Sequence, residues 1–269
     1  MPEGHTIHRI AKDHSRLLVG HEVAVSSPQG RFEGDAALVD GATLRRLEAY
    51  GKHLFYHWST GHVGHVHLGL FGKFRVHRGA DDIAPVGMVR MRMRTELATI
   101  DLAGPTACSI STAAERKDII ARLGPDPLRH DADPQVAIDR MARSKQSLGA
   151  LLLDQSVLSG VGNVYRAEAL FVNGIHPTRA GRDADPAELH ALWDTVAGML
   201  RQGVKDNRII TIDRDEMEAL GIDKRALQRR RGEANYVYHR DRCLRCGTPI
   251  QTVELAGRAC YFCPVCQPR

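Results

Sequence analysis

Aromatic residues are scarce in this 269-residue chain, at 5%. The apolar fraction is nevertheless an ordinary 43%, which excludes a disordered chain and predicts a globular one of one large or two smaller domains. Apolar runs long enough to span a bilayer are absent, and no secretory leader pattern precedes the charged start, so a cytoplasmic protein with no membrane partner is expected. Internal repeats and low-complexity segments are absent too. Cysteine is nearly missing from the first 242 residues, where Cys108 stands alone. The other five, Cys243, Cys246, Cys260, Cys263 and Cys266, crowd the C-terminal end. In a chain without a leader this crowding favours metal over disulfides.

What is present is unevenly placed. The formal net charge is +5. Residues 201–269 hold 14 Lys and Arg against nine Asp and Glu, while the 23 basic and 23 acidic residues before them cancel. The densest run is Lys224, Arg225, Arg229, Arg230 and Arg231. A basic face of this kind suits a polyanion, although a solvated surface would look the same.

The first half reads as a helix ending at Gly20, with Ile7, Ile10, Ala11, His14, Leu17 and Leu18 on one face, followed by short strands. The strands are expected over 21–27, 44–50, 53–58, 62–68, 73–77, 86–94 and 97–102. In 86–94, Val89, Met91 and Met93 alternate with Arg90, Arg92 and Arg94. Many short strands with Gly and Pro punctuation predict a β-sandwich or barrel. A short helix over 113–123 follows.

Residues 125–134 read as a linker, giving expected domains of 1–124, 135–235 and 236–269. Beyond it the pattern is helical. Asp133-Pro134 caps one helix and Ser147–Gln155 forms a second. A third follows Gly160-Val161-Gly162-Asn163, with Asn163 as its cap, and Asp185-Pro186 opens a fourth. Residues 204–234 are polar and weakly periodic, a long loop of the functional or disordered kind.

Two Cys-x-x-Cys pairs, Cys243 with Cys246 and Cys263 with Cys266, are separated by 16 residues. This spacing predicts a closed four-thiolate Zn2+ site, one per chain, that folds a small unit and does no chemistry. Cys260 has the same spacing to Cys263, but on an extended segment the two face opposite ways, so Cys260 is expected to be a non-ligand. Between the pairs a hairpin is expected to turn at Ala256-Gly257-Arg258, with Arg258 at its tip, where it can probe a phosphate or a groove.

Several weaker signals accompany it. Gly160 and Gly162 let backbone approach a ligand, and the helix start behind them favours an anion. Lys52 sits in a strand connection. Leu70 and Phe71 lie in a glycine-bounded turn, where apolar residues are usually buried or, at a nucleic-acid edge, wedge into a base stack. His65 and His67 share a strand face, with His62 opposite. Ordinary strand histidines are expected rather than a metal site, although His67 is placed to touch phosphate. Pro2, if Met1 is removed, is a free secondary amine, and Glu3 beside it is a carboxylate able to shuttle protons. Alone, Pro and Glu near a helix start are commonplace.

Taken in order, the N-terminal Pro-Glu, the Gly51-Lys52 pair, the turn Gly69-Leu70-Phe71-Gly72, the run Gly160-x-Gly-Asn163-x-Tyr165-x-x-Glu168 and the zinc hairpin with Gly257-Arg258 resemble the formamidopyrimidine-DNA glycosylase and endonuclease VIII family of DNA repair enzymes. The resemblance spans Pro2 to Gln267. It implies an α+β protein with a leading helix, an N-terminal β-sandwich, and a C-terminal helix–two-turn–helix domain with a zinc finger. It implies Pro2 as Schiff-base nucleophile and Glu3 as catalytic acid. Lys52, Asn163 and Arg258 become phosphate contacts, with Lys52 and Arg258 counted in the catalytic set, and Leu70 and Phe71 fill the gap left by an extruded nucleotide. The expected partner is damaged double-stranded DNA, met by a monomer at the nucleoid. Pro2-Glu3-Gly4-His5 resembles the endonuclease VIII branch, which favours oxidised pyrimidines; the other branch usually starts Pro-Glu-Leu-Pro-Glu and has a Lys where Ser156 stands here. Gly69 departs from members with a Gln before the Leu. An oxidised-purine glycosylase and a non-catalytic zinc-containing DNA-binding protein are the alternatives, and binding alone would not require Pro2-Glu3.

Overall fold

The structure, a computed structural model, describes residues 2–79, 83–222 and 234–269. The basic run at Lys224–Arg231 lies outside the described residues. The chain divides into two compact units, 1–122 and 123–269.

In the first unit, helix α1 (Gly4–Leu18) buries Ile7, Ala11, His14, Leu17 and Leu18 along one stripe. Ile10 is only half-buried. Gly20 turns the chain at φ +88°. The strands are β1 (Glu22–Ser26), β2 (Ala42–Tyr50), β3 (His53–Trp58), β4 (Val63–His67), β5 (Lys73–Arg78), β6 (Val89–Arg94), β7 (Ala98–Ala103) and β8 (Ala107–Ser111). Helix α2 (Glu33–Ala37) follows β1, and α3 (Ala113–Ala121) follows β8. The sheet order is β5-β7-β6-β1-β2-β3-β4-β8, antiparallel throughout. The β1–β2 pairing that joins its two halves is short, Glu22↔Thr43 and Val23↔Ala42. Leu54, Tyr56 and Val66 from one half share a core with Met93, Ile100 and Leu102 from the other, closing a sandwich-like layer pair.

Three features of this unit are not evident in the sequence pattern. Arg92, on the face opposite Met91 and Met93, is 6% exposed and makes a two-pronged ion pair with Asp101, at 2.7 and 2.8 Å, across β6 and β7. Strand β8 was not foreseen because all five residues are half-buried and give no alternation. Helix α2 escaped because Gly34 and Asp35 are poor helix formers and only Ala36 is buried.

The second unit holds α4 (Pro134–Ala142), α5 (Leu148–Leu151), α6 (Asn163–Val172), α7 (Pro186–Asp206), α8 (Arg214–Ala219) and the hairpin β9 (Gln251–Leu255) with β10 (Arg258–Phe262). Asp133 caps α4 and Asp185 caps α7, the latter with Glu188 completing a capping box. Leu152, Leu170, Leu192, Val196 and Val237 meet in one core.

The expected helix 147–155 is a single turn. Asp154 takes the amide and hydroxyl of Ser156 instead, at 2.8 and 2.7 Å, a local turn that competes with helix. The expected loop 204–234 is also corrected: α7 runs to Asp206 and α8 occupies Arg214–Ala219. Asn163 is the first residue of α6, and Gly162 is its cap. Arg258 is not the hairpin tip; it pairs with Leu255 as the first residue of the return strand, and Ala256 and Gly257 (φ +52° and +68°) make the turn.

Candidate nucleic-acid interface and metal centre

Cys243, Cys246, Cys263 and Cys266 bring their thiol sulfurs within 4.8 Å of one another. Sulfur separations of 3.9 Å (Cys243–Cys266) and 3.5 Å (Cys246–Cys263, Cys246–Cys266) approach the ~3.8 Å edge of a tetrahedron with Zn–S of about 2.3 Å. A four-thiolate donor set fits Zn2+, and these four cysteines hold one structural zinc. Cys260 faces the core, fully buried and outside the cluster. Gln267 closes the second pair, accepting from the Cys263 amide at 2.9 Å and donating to Ile175 at 2.8 Å.

The start of α6 is organised from two sides. Gln155 takes the Gly160 amide at 3.0 Å and donates to Leu153 and Val161, fixing the glycine turn. The Asn163 amide donates to the Ala259 carbonyl at 3.0 Å, which ties the helix start to β10 beside Arg258. Asn163 and Arg258, expected as phosphate contacts, are therefore neighbours within this unit, and Arg258 is exposed. Buried Arg166 stands between them; the sequence reading passed over it, although its place three residues after Asn163 sets it on the same helix face. Glu168 is fully buried and accepts the amides of Tyr236, Val237 and Tyr238 at 2.7–2.9 Å and the Thr211 hydroxyl at 2.5 Å. Burial pushes its carboxyl up, against the pull of those bonds. It clamps the backbone of residues 236–238 to α6.

In the first unit Lys52 sits in the tight turn between β2 and β3, and His53 pairs with His67 across β3 and β4. The histidine group is larger than the sequence reading had it. His53 Nδ1 lies 2.9 Å from His65 Nε2, and the His53 ring is 4.8 Å from that of His67. Burial, then the neighbouring charges of His67, His65, Lys52 and Arg122, hold His53 down at about 3. His65 falls to about 4 by burial and the His67 charge. His62 stands apart, its Nδ1 3.0 Å from the Thr60 hydroxyl. Among the described residues only the four cysteines form a metal-capable cluster of three or more.

The 69–72 turn leads from β4 to β5, which are not sheet neighbours. Leu70 and Phe71 are 57% and 80% exposed, so this apolar pair is not core. Gly72 packs so closely that a Cβ would lie 2.3 Å from the Leu68 carbonyl oxygen.

At the chain start Glu3 is fully buried and holds the N-cap position of α1, yet its side chain does not cap the helix. Its backbone carbonyl accepts from Thr6 and Ile7 at 2.9 and 3.3 Å. His5 is brought down to about 4 by burial and then by the positive chain terminus. Met1 lies outside the described residues.

A sandwich-like sheet with a leading helix, a helical unit and a four-cysteine hairpin define the class of protein. Residues 1–107 match the formamidopyrimidine-DNA glycosylase N-terminal domain, 123–214 the H2TH domain of the same enzymes, and 240–269 the zinc finger found in FPG and IleRS. The chain is 46% identical to Endonuclease 8 1 of Mycobacterium tuberculosis over 272 residues, covering 99% of this chain and 100% of that one. It is 31% identical to the formamidopyrimidine-DNA glycosylase of Geobacillus kaustophilus over 247 residues (87% and 85%). The fold is that of the Lactococcus lactis formamidopyrimidine-DNA glycosylase, a structure in which that protein is bound to DNA containing an AP site; the TM-score is 0.81 at 22% identity, over 99% of this chain and 100% of that one. The chain belongs to the formamidopyrimidine-DNA glycosylase and endonuclease 8 family, the DNA glycosylases of base excision repair. Among the described residues no helix is long and apolar enough to cross a membrane.

Proposed function

We propose that the protein is a bifunctional glycosylase and abasic-site lyase acting, as a monomer, on oxidised pyrimidines in double-stranded DNA. The Pro2 nitrogen, freed of Met1, bonds to C1′ of the damaged nucleotide. The glycosidic C1′–N bond breaks, and the base leaves with a proton supplied through Glu3. The deoxyribose ring opens to an iminium between Pro2 and C1′. Loss of a C2′ proton then expels the 3′ phosphate, with the 5′ phosphate next in line, and water releases Pro2. Lys52, His67, Asn163 and Arg258 grip phosphates, and Leu70 and Phe71 fill the vacated stack.

The observation that carries this reading is Glu3, a fully buried carboxylate next to Pro2 at the start of α1. The exposed Leu70-Phe71 pair supports the DNA-facing part. Borohydride reduction with an abasic-site duplex tests the reading. A covalent adduct lost in Pro2→Ala and in a protein retaining Met1 is expected; no adduct in the wild type would leave only DNA binding. The naming of several relatives as formamidopyrimidine-DNA glycosylases keeps an oxidised-purine substrate as the second reading. Cleavage of thymine glycol and 5-hydroxyuracil duplexes ahead of 8-oxoguanine is expected, and the reverse order would establish the second.

A further inference from the structure

Arg166 is fully buried on α6. Its Nη1 donates to the carbonyl oxygens of Gly149 and Leu255 at 3.2 and 3.1 Å. Its Nη2 donates to those of Arg258 and Ala259 at 3.3 and 3.1 Å, and to Oδ1 of Asn163. The Ala259 carbonyl accepts from the Asn163 amide as well. One guanidinium thus gathers three backbone carbonyls around the hairpin turn and the side chain of the first residue of α6. The close approach also requires Gly149, where a Cβ would lie 2.6 Å from Leu255 Cδ1 and 2.8 Å from the Pro177 oxygen.

Burying a guanidinium costs several kcal/mol before its bonds are counted, and an apolar side chain of like size often serves stability as well. What the Arg supplies, and an apolar residue does not, is a fixed fork of donors that sets the direction of several acceptors at once. Here those acceptors belong to the backbone of Arg258 and the side chain of Asn163.

We propose that Arg166 is a positioning residue that holds the Asn163 side chain and the Arg258 backbone in one fixed relation, so that the two grip the DNA backbone as a unit. This rests on the reading above that Asn163 and Arg258 contact phosphates. Arg166, being buried, reaches no phosphate itself, and its effect on binding passes through the other two.

The test is the affinity for a duplex carrying a tetrahydrofuran abasic analogue, measured over a range of salt concentrations. Arg166→Met is expected to weaken binding about tenfold and to lower the slope of log K against log salt by about 1 to 2, as loss of one or two phosphate contacts does. Zinc content and a cooperative melt should be retained. Arg166→Lys should fall between, since an ammonium lacks the fork. An altered melt with the affinity and slope of the wild type would show a merely structural residue and overturn the proposal. If Asn163→Ala and Arg258→Ala alone leave affinity unchanged, the phosphate-contact reading itself fails. Should Arg166→Met not fold, a cycle of Asn163→Ala with Arg258→Ala decides: strong non-additivity is expected, and effects that combine to within about twofold overturn the proposal.

Discussion

Arg245, between the first two zinc-ligating cysteines, forms an ion pair at 2.7 Å with Glu216 of α8. Its guanidinium also lies over the rings of Phe171 and Tyr236, at 4.9 and 5.1 Å. The metal knuckle is therefore fastened to α8 and to the end of α6 through one side chain. The ion pair is 40% and 37% exposed at its two members, so solvent screens it and the ring contacts should dominate. Arg245→Met is expected to cost about 1 kcal/mol, and Glu216→Gln less than half of that. Thermal melts of both variants check the order; equal losses would put the energy in the ion pair instead. Zinc stoichiometry should remain one in each.

Cys260 and Cys263 make a sharper comparison. Cys260→Ser should keep the zinc but cost roughly 1–3 kcal/mol, because a hydroxyl replaces a thiol at a fully buried site. Cys263→Ser should lose the metal and with it the protection of β9 and β10 amides, since a structural zinc contributes folding free energy directly. Metal analysis and hydrogen exchange read the two effects. A Cys260→Ser protein without zinc would refute the ligand assignment.

The zinc ligands and the amphipathic helices were legible because their signals are local: a spacing of cysteines, a period of apolar residues. The strand alternation set Arg92 on the face opposite Met91 and Met93 but did not tell that this face is covered too, with Arg92 buried against Asp101. The partner of Arg92, Asp101, is set by the β6–β7 register, which no local pattern encodes. His53 was missed for a similar reason, since its meeting with His65 and His67 depends on pairing between β3 and β4. Arg166 was the unspecified residue in a recognised run of glycine, asparagine and glutamate. Its partners lie about 90 residues away on a hairpin, so only the fold reveals why a cation stands there.

Two sets of groups make stability depend on pH in separate windows. Burial alone would raise the Glu48 carboxyl, but hydrogen bonds from His57 and Arg116, with the charges of Arg116 and Arg46, bring it down to about 2. A depressed carboxylate stabilises above its unfolded value and loses that contribution as pH falls through the folded one, here between about 4.5 and 2. His53 and His65, held neutral at about 3 and 4, behave differently. The unfolded chain takes up their protons first, so stability falls as pH drops below about 6.5. Glu48→Gln should flatten the lower window, at a cost on the order of 3 kcal/mol at neutral pH, and His53→Phe should lessen the upper one, in which His65 still takes part. Urea unfolding from pH 8 to pH 3 separates them. If Glu48→Gln altered the pH 5–7 range instead, the assignment would be wrong.

The last prediction concerns the turn that holds Leu70 and Phe71 out to solvent. Gly69 has φ +63°, and a Cβ there would lie 1.8 Å from Thr106 Oγ1 and 3.0 Å from Thr106 Cβ. The Thr106 amide donates to the His67 carbonyl at 2.9 Å, so the backbone of that neighbour is tied to the end of β4 and is not free to retreat. Two separate costs therefore meet at position 69: a left-handed backbone, worth about 1–2 kcal/mol against any L side chain, and a clash with one side chain. Gly69→Ala should incur both and reduce stability by about 2 kcal/mol or more. Adding Thr106→Ala removes the hydroxyl and should recover most of the steric part, leaving the 3.0 Å approach to Cβ and the backbone cost. The double variant is expected to be more stable than Gly69→Ala yet below Thr106→Ala by the backbone cost, a non-additive pattern that melts of the four proteins can resolve. Strict additivity would mean that Thr106 does not confine the turn. If Leu70 and Phe71 fill a gap in a base stack, as proposed, the same series bound to an abasic-analogue duplex should lose affinity in step with the turn's strain, because the turn must already be shaped to present them.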